Sequence, residues 1–314
     1  MTMRNNRCID AGRENCPCAL AEAGSCLVCG RLSGGSCEDC SWQGSCIYTL
    51  YEQNGRRLIK GRQERLLPVE EVRVYSESFH VFVLRADRGF CQKAQTAGAY
   101  VFARPAAADQ WYGMPVSVLK SEPDRGLLHL GICSCGPKSA SLLQETDRLC
   151  VRGVYYNALS GLGHLQDAPE ETVVFAKGIA LAPLRNFLDG GSRYSSKLKN
   201  LRFYVDLDKV GQDFFLDYFG DLPAGVVQIR QFAEEGICCQ EELERLESRT
   251  ERSAMADNIF VLTSPYYVRR VQNALGSKVV RPTEGNMCCG EGVCGACTCS
   301  DAQGRTIRRC KAQE

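Results

Sequence analysis

The distribution of cysteine constrains this chain more than any other feature. Of its 20 cysteines, eight lie in the first 46 residues and six lie between Cys288 and Cys310. A disulfide scaffold usually serves a small domain with a poor core in an oxidising compartment. This chain has 314 residues, 44% of them hydrophobic, and can bury cores of ordinary size. Clustered cysteines are then better explained as metal ligands in a reducing compartment.

The overall composition excludes several classes of function. The formal net charge of +1 gives no electrostatic reason to expect nucleic acid as a partner. No run of eighteen apolar residues occurs, so we expect no membrane insertion. Residues 1–6 are polar and contain no apolar signal-peptide core, which predicts a cytoplasmic protein. No nucleophile–base pair stands out, so hydrolase chemistry has no support.

Composition and hydrophobic rhythm divide the chain into four segments, predicted as domains 1–52, 53–157, 158–278 and 279–314. The first is rich in Cys, Gly and Ser and has little hydrophobic periodicity. The second contains short β-type runs separated by Gly, Pro and Asp, which is typical of an antiparallel barrel or sandwich. These runs are 72–75, 79–84, 100–102, 115–119 and 127–132.

In the third segment, strands alternate with helices, which indicates βαβ units on a parallel, Rossmann-like sheet. The predicted strands are 172–176, 201–205, 226–231 and 259–262. The predicted helices are 184–188, 214–219, 241–252 and 266–275. The predicted fold class is therefore multidomain, with a Cys-rich N-terminal module, an antiparallel barrel, an α/β domain and a small Cys-rich C-terminal domain.

The C-terminal segment contains cysteines with the spacing C-x4-C-x2-C-x12-C, namely Cys289, Cys294, Cys297 and Cys310. The first three have the spacing of a plant-type [2Fe–2S] loop. Interleaved glycines, Gly290, Gly292 and Gly295, let a backbone approach the cluster closely. A structural zinc site is the alternative. Cys288 and Cys299 are neighbours that could replace a ligand.

With Met287 before the cysteine run, this tail resembles the electron-transfer subunit of dihydroorotate dehydrogenase, within the ferredoxin reductase superfamily. The resemblance covers about residues 60–314. It implies a barrel that binds FAD, a Rossmann-like domain that binds pyridine nucleotide, and a [2Fe–2S] cluster in the tail.

The resemblance implies two flavin-binding elements. The family motif Arg-Pro-x-Ser corresponds to residues 114–117, where Met114 replaces the arginine. Arg104 or Lys120 could supply the missing charge. The second element has the form Gly-x-x-[Ser/Thr] and corresponds to residues 136–139. The FAD-binding residues implied are Pro115, Val116, Ser117, Gly136, Lys138 and Ser139.

The motif implied for pyridine nucleotide is altered. The turn after the first strand keeps Gly178, Ala182 and Pro183, which the resemblance implies as NAD(P)-binding residues. Two expected glycines are replaced by Ala176 and Ala180, and each added methyl group intrudes on the space of a phosphate. A later Cys-Gly-Pro motif appears as Thr-Ser-Pro at 263–265. NAD(P) binding and a scaffold without nucleotide both remain open.

The N-terminal cysteines lie outside this resemblance. The pairs Cys26-x2-Cys29 and Cys37-x2-Cys40 could close one tetrahedral site. This second metal centre would be zinc, which would fold a segment too short for its own core, or a [4Fe–4S] cluster. The ferredoxin run C-x2-C-x2-C is absent from it.

Two functions compete. In the first, the chain is an oxidoreductase subunit that passes electrons between a pyridine nucleotide, or another donor, and a partner redox protein or catalytic subunit. Flavin suits this role because it handles one- and two-electron steps. In the second, the chain is a non-enzymatic metal-binding redox sensor or interaction protein on a relic reductase scaffold.

Overall fold

The computed structural model describes residues 7–38, 40–189, 197–232, 243–246, 248, 257–275, 278–300, 304 and 306–313. The chain forms two compact units, one of Met1–Arg65 with Thr283–Glu314 and one of Leu66–Pro282. The sequence-based division placed the two Cys-rich segments in separate domains, 1–52 and 279–314, whereas the structure groups them in one unit. The middle cysteines Cys238 and Cys239 and most of predicted helix 241–252 lie outside the described residues.

The strands of the described residues, in chain order, are β1 (Arg7–Cys8), β2 (Glu64–Ser76), β3 (Phe79–Arg85), β4 (Tyr100–Pro105), β5 (Met114–Glu122), β6 (Leu127–Cys133), β7 (Arg148–Tyr155), β8 (Leu159–Ser160), β9 (Thr172–Lys177), β10 (Leu201–Asp206), β11 (Val227–Ile229), β12 (Asn258–Leu262), β13 (Arg281–Pro282), β14 (Thr298–Ser300), β15 (Thr306–Arg308) and β16 (Ala312–Gln313). The α-helices are α1 (Ala19–Glu22), α2 (Ile47–Gln53), α3 (Arg88–Ala94), α4 (Pro137–Leu142), α5 (Arg185–Leu188), α6 (Gly211–Phe219) and α7 (Pro265–Leu275). Residues 243–246, within the predicted helix 241–252, are helical as well.

The larger unit begins with a closed antiparallel barrel of strand order β2-β3-β6-β5-β4-β7. Alternate residues of its strands point inward, as Val101 and Ala103 on β4 and Val116 and Val118 on β5 do. These small apolar side chains help to fill the interior, and closure of the barrel leaves no free strand edge. All five β-type runs predicted for this segment lie in barrel strands, so the predicted barrel is confirmed.

The larger unit continues with a parallel sheet of strand order β11-β10-β9-β12. Every residue of β12 is buried, as expected for a parallel strand covered on both faces. α7 buries Tyr267, Val268, Val271 and Leu275, which recur at helical spacing along one face. The predicted Rossmann-like sheet is confirmed. Among the helices described, none is long and apolar enough to cross a membrane.

The smaller unit joins the two ends of the chain through an antiparallel pair, in which Arg7 lies opposite Gln313 and Cys8 opposite Ala312. β14 and β15 form a separate antiparallel pair. Its hydrophobic core is small, built around Leu32 and Ile47. A core of this size contributes little stability, so such a unit depends on additional links such as metal or buried ion pairs.

Candidate cofactor sites

The structure brings the four C-terminal cysteines predicted as [2Fe–2S] ligands into one group. Cys310 Sγ hydrogen-bonds to Cys289 and to Cys297, and Cys289 also hydrogen-bonds to Cys294. Between Cys289 and Cys297 the loop contains Gly290, Gly292 and Gly295, with φ of +68°, +76° and +77°. Side chains rarely adopt such φ, so these glycines allow the turns that gather the thiols.

Backbone N–H groups donate to the sulfurs of this group. Glu291 N lies 3.3 Å from Cys289 Sγ, and Cys310 N lies 3.5 Å from Cys297 Sγ. The hydrogen bond from Cys310 and the backbone donors of Cys294 and Glu291 outweigh burial and lower the pKa of Cys289 to about 3. Its partner Cys310 has a raised pKa, because it donates to Cys289 and is buried. Such donors stabilise thiolate charge around iron–sulfur clusters.

Paired thiols suit a two-iron cluster. Within the described ranges, no three His, Cys, Asp or Glu side chains are arranged to hold one metal ion. A [2Fe–2S] cluster with four cysteine ligands needs only two thiolates on each iron. The two neighbouring cysteines are placed differently, since Cys288 is exposed and Cys299 Sγ accepts a hydrogen bond of 3.0 Å from Arg309 Nε.

A buried group of four charges, here called the charged quartet, lies in the same unit and consists of Asp10, Arg62, Glu291 and Lys311. Lys311 Nζ lies 2.6 Å from Asp10 Oδ2 and 2.8 Å from Glu291 Oε2. Arg62 lies 2.7 Å from Asp10 and 3.3 Å from Glu291. Burial raises the pKa of Asp10, but Lys311 and Arg62 outweigh it and lower that pKa. The quartet ties the N-terminal strand to the cluster loop.

The flavin motif of the sequence lies on the outer face of the barrel. Pro115 pairs with Phe102, and Phe102 pairs with Arg152 on the other side. Residues that lie opposite each other on neighbouring strands point to the same face of the sheet. Successive residues along a strand point to opposite faces, so residues next to the inward-pointing Val116 point outward. Ser117 pairs with Tyr100 on the same face. Pro115, Ser117 and Arg152 therefore lie on one surface.

Arg152 is a cation that the sequence motifs do not identify. Its guanidinium stacks 4.9 Å from the ring centroid of Phe102 and donates to the hydroxyl of Tyr155. Tyr155 in turn stacks on Tyr100 at 5.0 Å. Its sequence context, an arginine next to Val151 and Gly153, is too common to be diagnostic. Of the two substitutes predicted for Met114, Arg104 donates to backbone carbonyls of Pro105 and Ala108, and Lys120 pairs with Glu122 at 3.7 Å.

The Gly-x-x-Ser element forms the turn into α4. Ser139 Oγ accepts hydrogen bonds from the N–H groups of Cys135 at 2.9 Å and Gly136 at 3.1 Å, so it shapes the turn. A Cβ added at Gly136 would meet nothing within 4 Å, so open space lies beside it. Lys138 Nζ donates to the carbonyl oxygen of Trp111 and lies 6.0 Å from that exposed ring. This contact holds α4 beside the start of β5.

The turn after β9, predicted to bind pyridine nucleotide, is packed by apolar side chains. Ala176 and Ala182 are buried in the core, and Gly178 has φ of +54°. Ile179 packs against Gly131 of the barrel so closely that a Cβ there would lie 2.5 Å from Ile179 Cδ1. Pro183 is buried in the same turn.

An acidic residue at the end of β10 is engaged within the protein. Asp206 accepts hydrogen bonds from Asp208 N at 3.0 Å and Phe232 N at 2.9 Å, and its carboxylate lies 3.0 Å from Lys177 Nζ. In dinucleotide-binding sheets an acidic residue after the second strand holds a ribose hydroxyl. Here these three contacts occupy the corresponding carboxylate.

Of the four N-terminal cysteines predicted as ligands, Cys26 lines a cavity of the smaller unit whose other lining residues include none of the rest. Cys26 lines it together with Cys8, Cys16 and Cys18. Cys37 and Cys40 are exposed. The predicted set of Cys26, Cys29, Cys37 and Cys40 is thus not gathered at one cavity of the described residues. Burial is the main reason that the pKa of Cys8 is raised to about 12 and that of Cys16 to about 11.

No protein-family model and no curated protein sequence matches this chain. Solved structures do match it. An NADH-dependent reduced ferredoxin–NADP oxidoreductase, studied for flavin-based electron bifurcation, is 14% identical with a TM-score of 0.56 and aligns over 78% of this chain and 86% of its own. Phthalate dioxygenase reductase, described as a modular structure for electron transfer from pyridine nucleotides to [2Fe–2S], is 15% identical with a TM-score of 0.50, over 80% of this chain and 96% of its own.

A ferredoxin NADP+ reductase from Neisseria gonorrhoeae with bound FAD and NADP is 12% identical with a TM-score of 0.51, over 71% of this chain and 93% of its own. At such identities the likeness establishes the fold. Its common part is the closed antiparallel barrel followed by the parallel sheet. This chain therefore has the ferredoxin reductase fold, with a Cys-rich N-terminus in addition.

Proposed function

We propose that the chain is a flavin- and iron–sulfur-dependent electron-transfer protein, acting as an oxidoreductase subunit. The observation that carries this proposal is the group formed by Cys289, Cys294, Cys297 and Cys310, with backbone N–H donors on its sulfurs, in a chain with the ferredoxin reductase fold. The group fits a [2Fe–2S] cluster because four cysteine thiols lie together, the number that its two irons need. Reductases of this fold, such as phthalate dioxygenase reductase, carry electrons from pyridine nucleotides to such a cluster.

The barrel face would hold FAD through residues of two elements. The first element presents Pro115 and Ser117 on the outer face, with Arg152 as the cation that replaces the missing motif arginine. Val116 points into the barrel and would offer FAD only its backbone. The second element presents Gly136, Lys138 and Ser139, with open space beside Gly136. Bound FAD would supply exchange between two-electron and one-electron steps. The arginine would offset phosphate charge, and Ser139 would hold the turn in shape.

The structure gives less support for NAD(P)H as the electron donor than for FAD as the bound cofactor. Gly178, Ala182 and Pro183 keep the place of a pyridine-nucleotide turn, but Ile179 packs there and Asp206 is engaged by Lys177. These contacts favour a donor other than NAD(P)H. The same contacts favour the second candidate function, a non-enzymatic redox sensor on a relic scaffold. On the first account, the partner would be another redox protein or a catalytic subunit that receives the electrons.

A purification under anaerobic conditions tests the proposal. We expect about one FAD per chain and a visible spectrum that bleaches on reduction, together with iron and acid-labile sulfide. Cys294→Ser removes a paired thiol and should abolish the [2Fe–2S] signal, while Cys288→Ser, at an exposed neighbouring cysteine, should keep it. Iron without flavin would favour the sensor, and absence of both flavin and sulfide would overturn the proposal.

A further inference from the structure

The cavity in the smaller unit is lined by four cysteines, here called the cavity cysteines: Cys8, Cys16, Cys18 and Cys26. They come from three places in the chain. Cys8 lies on β1. Cys16 and Cys18 come just before α1, Cys18 being the residue directly before that helix, and Cys26 comes after α1. Four thiols from three segments of the chain, with Cys16 and Cys18 in the same one, line one space, which sequence spacing alone did not indicate.

Backbone N–H groups donate to the sulfurs of three cavity cysteines. Cys8 accepts from the backbone of Asp10, and Cys16 accepts from that of Gly12. Cys26 accepts from Cys29 N at 3.3 Å and also from the backbone of Val28. A thiol buried only for packing needs no such donors, because neutral sulfur is a weak acceptor. Donors of this kind stabilise metal-bound thiolates.

The placement of the cavity cysteines favours an iron–sulfur cluster over a single metal ion. A zinc site needs four sulfurs within about 2.3 Å of one point. The cavity cysteines instead line a shared space of about 20 Å³. A four-iron cluster takes one thiolate on each iron, so its ligands stand apart around a shared core.

The remaining walls suit a redox cluster. They are mostly apolar and include Pro17, Leu20, Val28 and Ile47. Apolar walls limit solvent access, which protects a cluster and influences its potential. Two members of the charged quartet act electrostatically on Cys8 in opposite directions, since Asp10 raises the pKa of its thiol and Lys311 lowers it. Asp10 also lines the cavity.

We propose that Cys8, Cys16, Cys18 and Cys26 bind a [4Fe–4S] cluster, distinct from the C-terminal [2Fe–2S] site. The exposed Cys37 and Cys40 are not among its ligands. This inference rests on the cavity and its N–H donors and does not depend on bound flavin. It assigns the N-terminal module a redox centre instead of a structural zinc ion.

The full chain is produced with ⁵⁷Fe, purified anaerobically and examined by iron, sulfide and zinc analysis and by Mössbauer spectroscopy. We expect about six irons per chain, four in a cubane signal and two in a [2Fe–2S] signal. Cys18→Ser should lose about four irons and keep the [2Fe–2S] signal. Cys40→Ser, at an exposed cysteine of the same module, is the matched control and should keep about six.

Two results would overturn the inference. One is stoichiometric zinc in the wild-type chain with only [2Fe–2S] iron. The other is loss of the cubane signal in Cys40→Ser with its retention in Cys18→Ser. The wild-type spectrum decides the cluster type even if Cys18→Ser fails to fold. Flavin content is measured in the same samples, so a failed flavin proposal is distinguishable from a failed cluster proposal.

Discussion

At the residue scale, the charged quartet is the least expected feature of the smaller unit. Its members are spread from Asp10 to Lys311, yet Lys311 has no exposed side-chain surface and Asp10 has 2%. Two carboxylates and two cations balance each other, so the burial of each charge is offset by its neighbours. Removing one member leaves an uncompensated buried charge, which is more damaging than losing an exposed ion pair.

Lys311→Met should therefore destabilise the Cys-rich unit by about 3–5 kcal/mol, because Asp10 and Glu291 would then share one cation. The measurement is anaerobic guanidinium unfolding followed by cluster absorbance. The exposed Lys60, in the same unit, provides the control: Lys60→Met should change stability by no more than ~0.5 kcal/mol. Equal effects of the two variants would show that the quartet is not stabilising.

Arg152 carries the second prediction at this scale. If it offsets phosphate charge, Arg152→Met should weaken FAD binding about tenfold or more, since a hydrogen bond to a charged group is worth ~1.5–3 kcal/mol. Flavin fluorescence titration of the deflavinated protein measures this. Arg148→Met is the control, because Arg148 begins the same strand and its side chain is largely exposed. Unchanged FAD affinity in Arg152→Met would remove the arginine from the site.

At the scale of elements, the turn after β9 is fixed by contact with the barrel. Gly131 on β6 leaves room for Ile179, and a methyl group at that position would also come within 3.4 Å of Phe79. The two elements belong to the same unit and share one hydrophobic core. This packing explains why the turn is filled by side chains where a nucleotide-binding turn would be open.

Gly131→Ala should lower the free energy of unfolding of the larger unit by about 1–3 kcal/mol through overpacking. Adding Ile179→Ala should recover part of that loss, since the clashing atom is removed. Denaturant unfolding of both single variants and the double variant gives the coupling energy. If the two changes in the free energy of unfolding simply add, the contact with Ile179 is not the reason that position 131 requires glycine.

Elements with a clear period were predictable from the sequence. Every predicted strand of the barrel and of the parallel sheet overlaps an observed strand, because apolar residues recur there at strand spacing. The predicted strand 226–231 is longer than β11, which spans Val227–Ile229. β7 was missed because Arg152 and Gly153 interrupt its apolar run. The C-terminal thiols were found because their spacing is local. The charged quartet and the cavity cysteines depend on contacts between distant parts of the chain, which no local pattern reports.

At the scale of the whole molecule, stability should depend on pH through a buried histidine in the larger unit. His129 hydrogen-bonds to Tyr218 at 2.9 Å and to Glu122 at 2.8 Å. Burial lowers the pKa of His129, with Lys120 and Arg73 adding to the effect, and Glu122 opposes it only in part. The unfolded chain therefore binds the extra proton more readily than the folded chain does.

The free energy of unfolding should then fall as the pH drops below about 6.5, the ordinary pKa of histidine, and should be constant above it with respect to this group. His129→Gln should flatten the dependence between about pH 6.5 and 5. The exposed His164 supplies the control variant His164→Gln, in which the slope should persist. A slope that persists in His129→Gln would assign the dependence to other groups.

The central claim, that this chain carries electrons through flavin and iron–sulfur, is tested most directly by an anaerobic reductive titration. The purified chain is titrated with dithionite while flavin absorbance and the EPR signal of reduced [2Fe–2S] are followed together. The account predicts that FAD takes up about two electrons and the [2Fe–2S] cluster about one. In Cys294→Ser, the EPR signal and the electron of the cluster should be lost, while the flavin still takes up its two electrons. A chain without flavin, or one whose iron takes up no electrons, would contradict it.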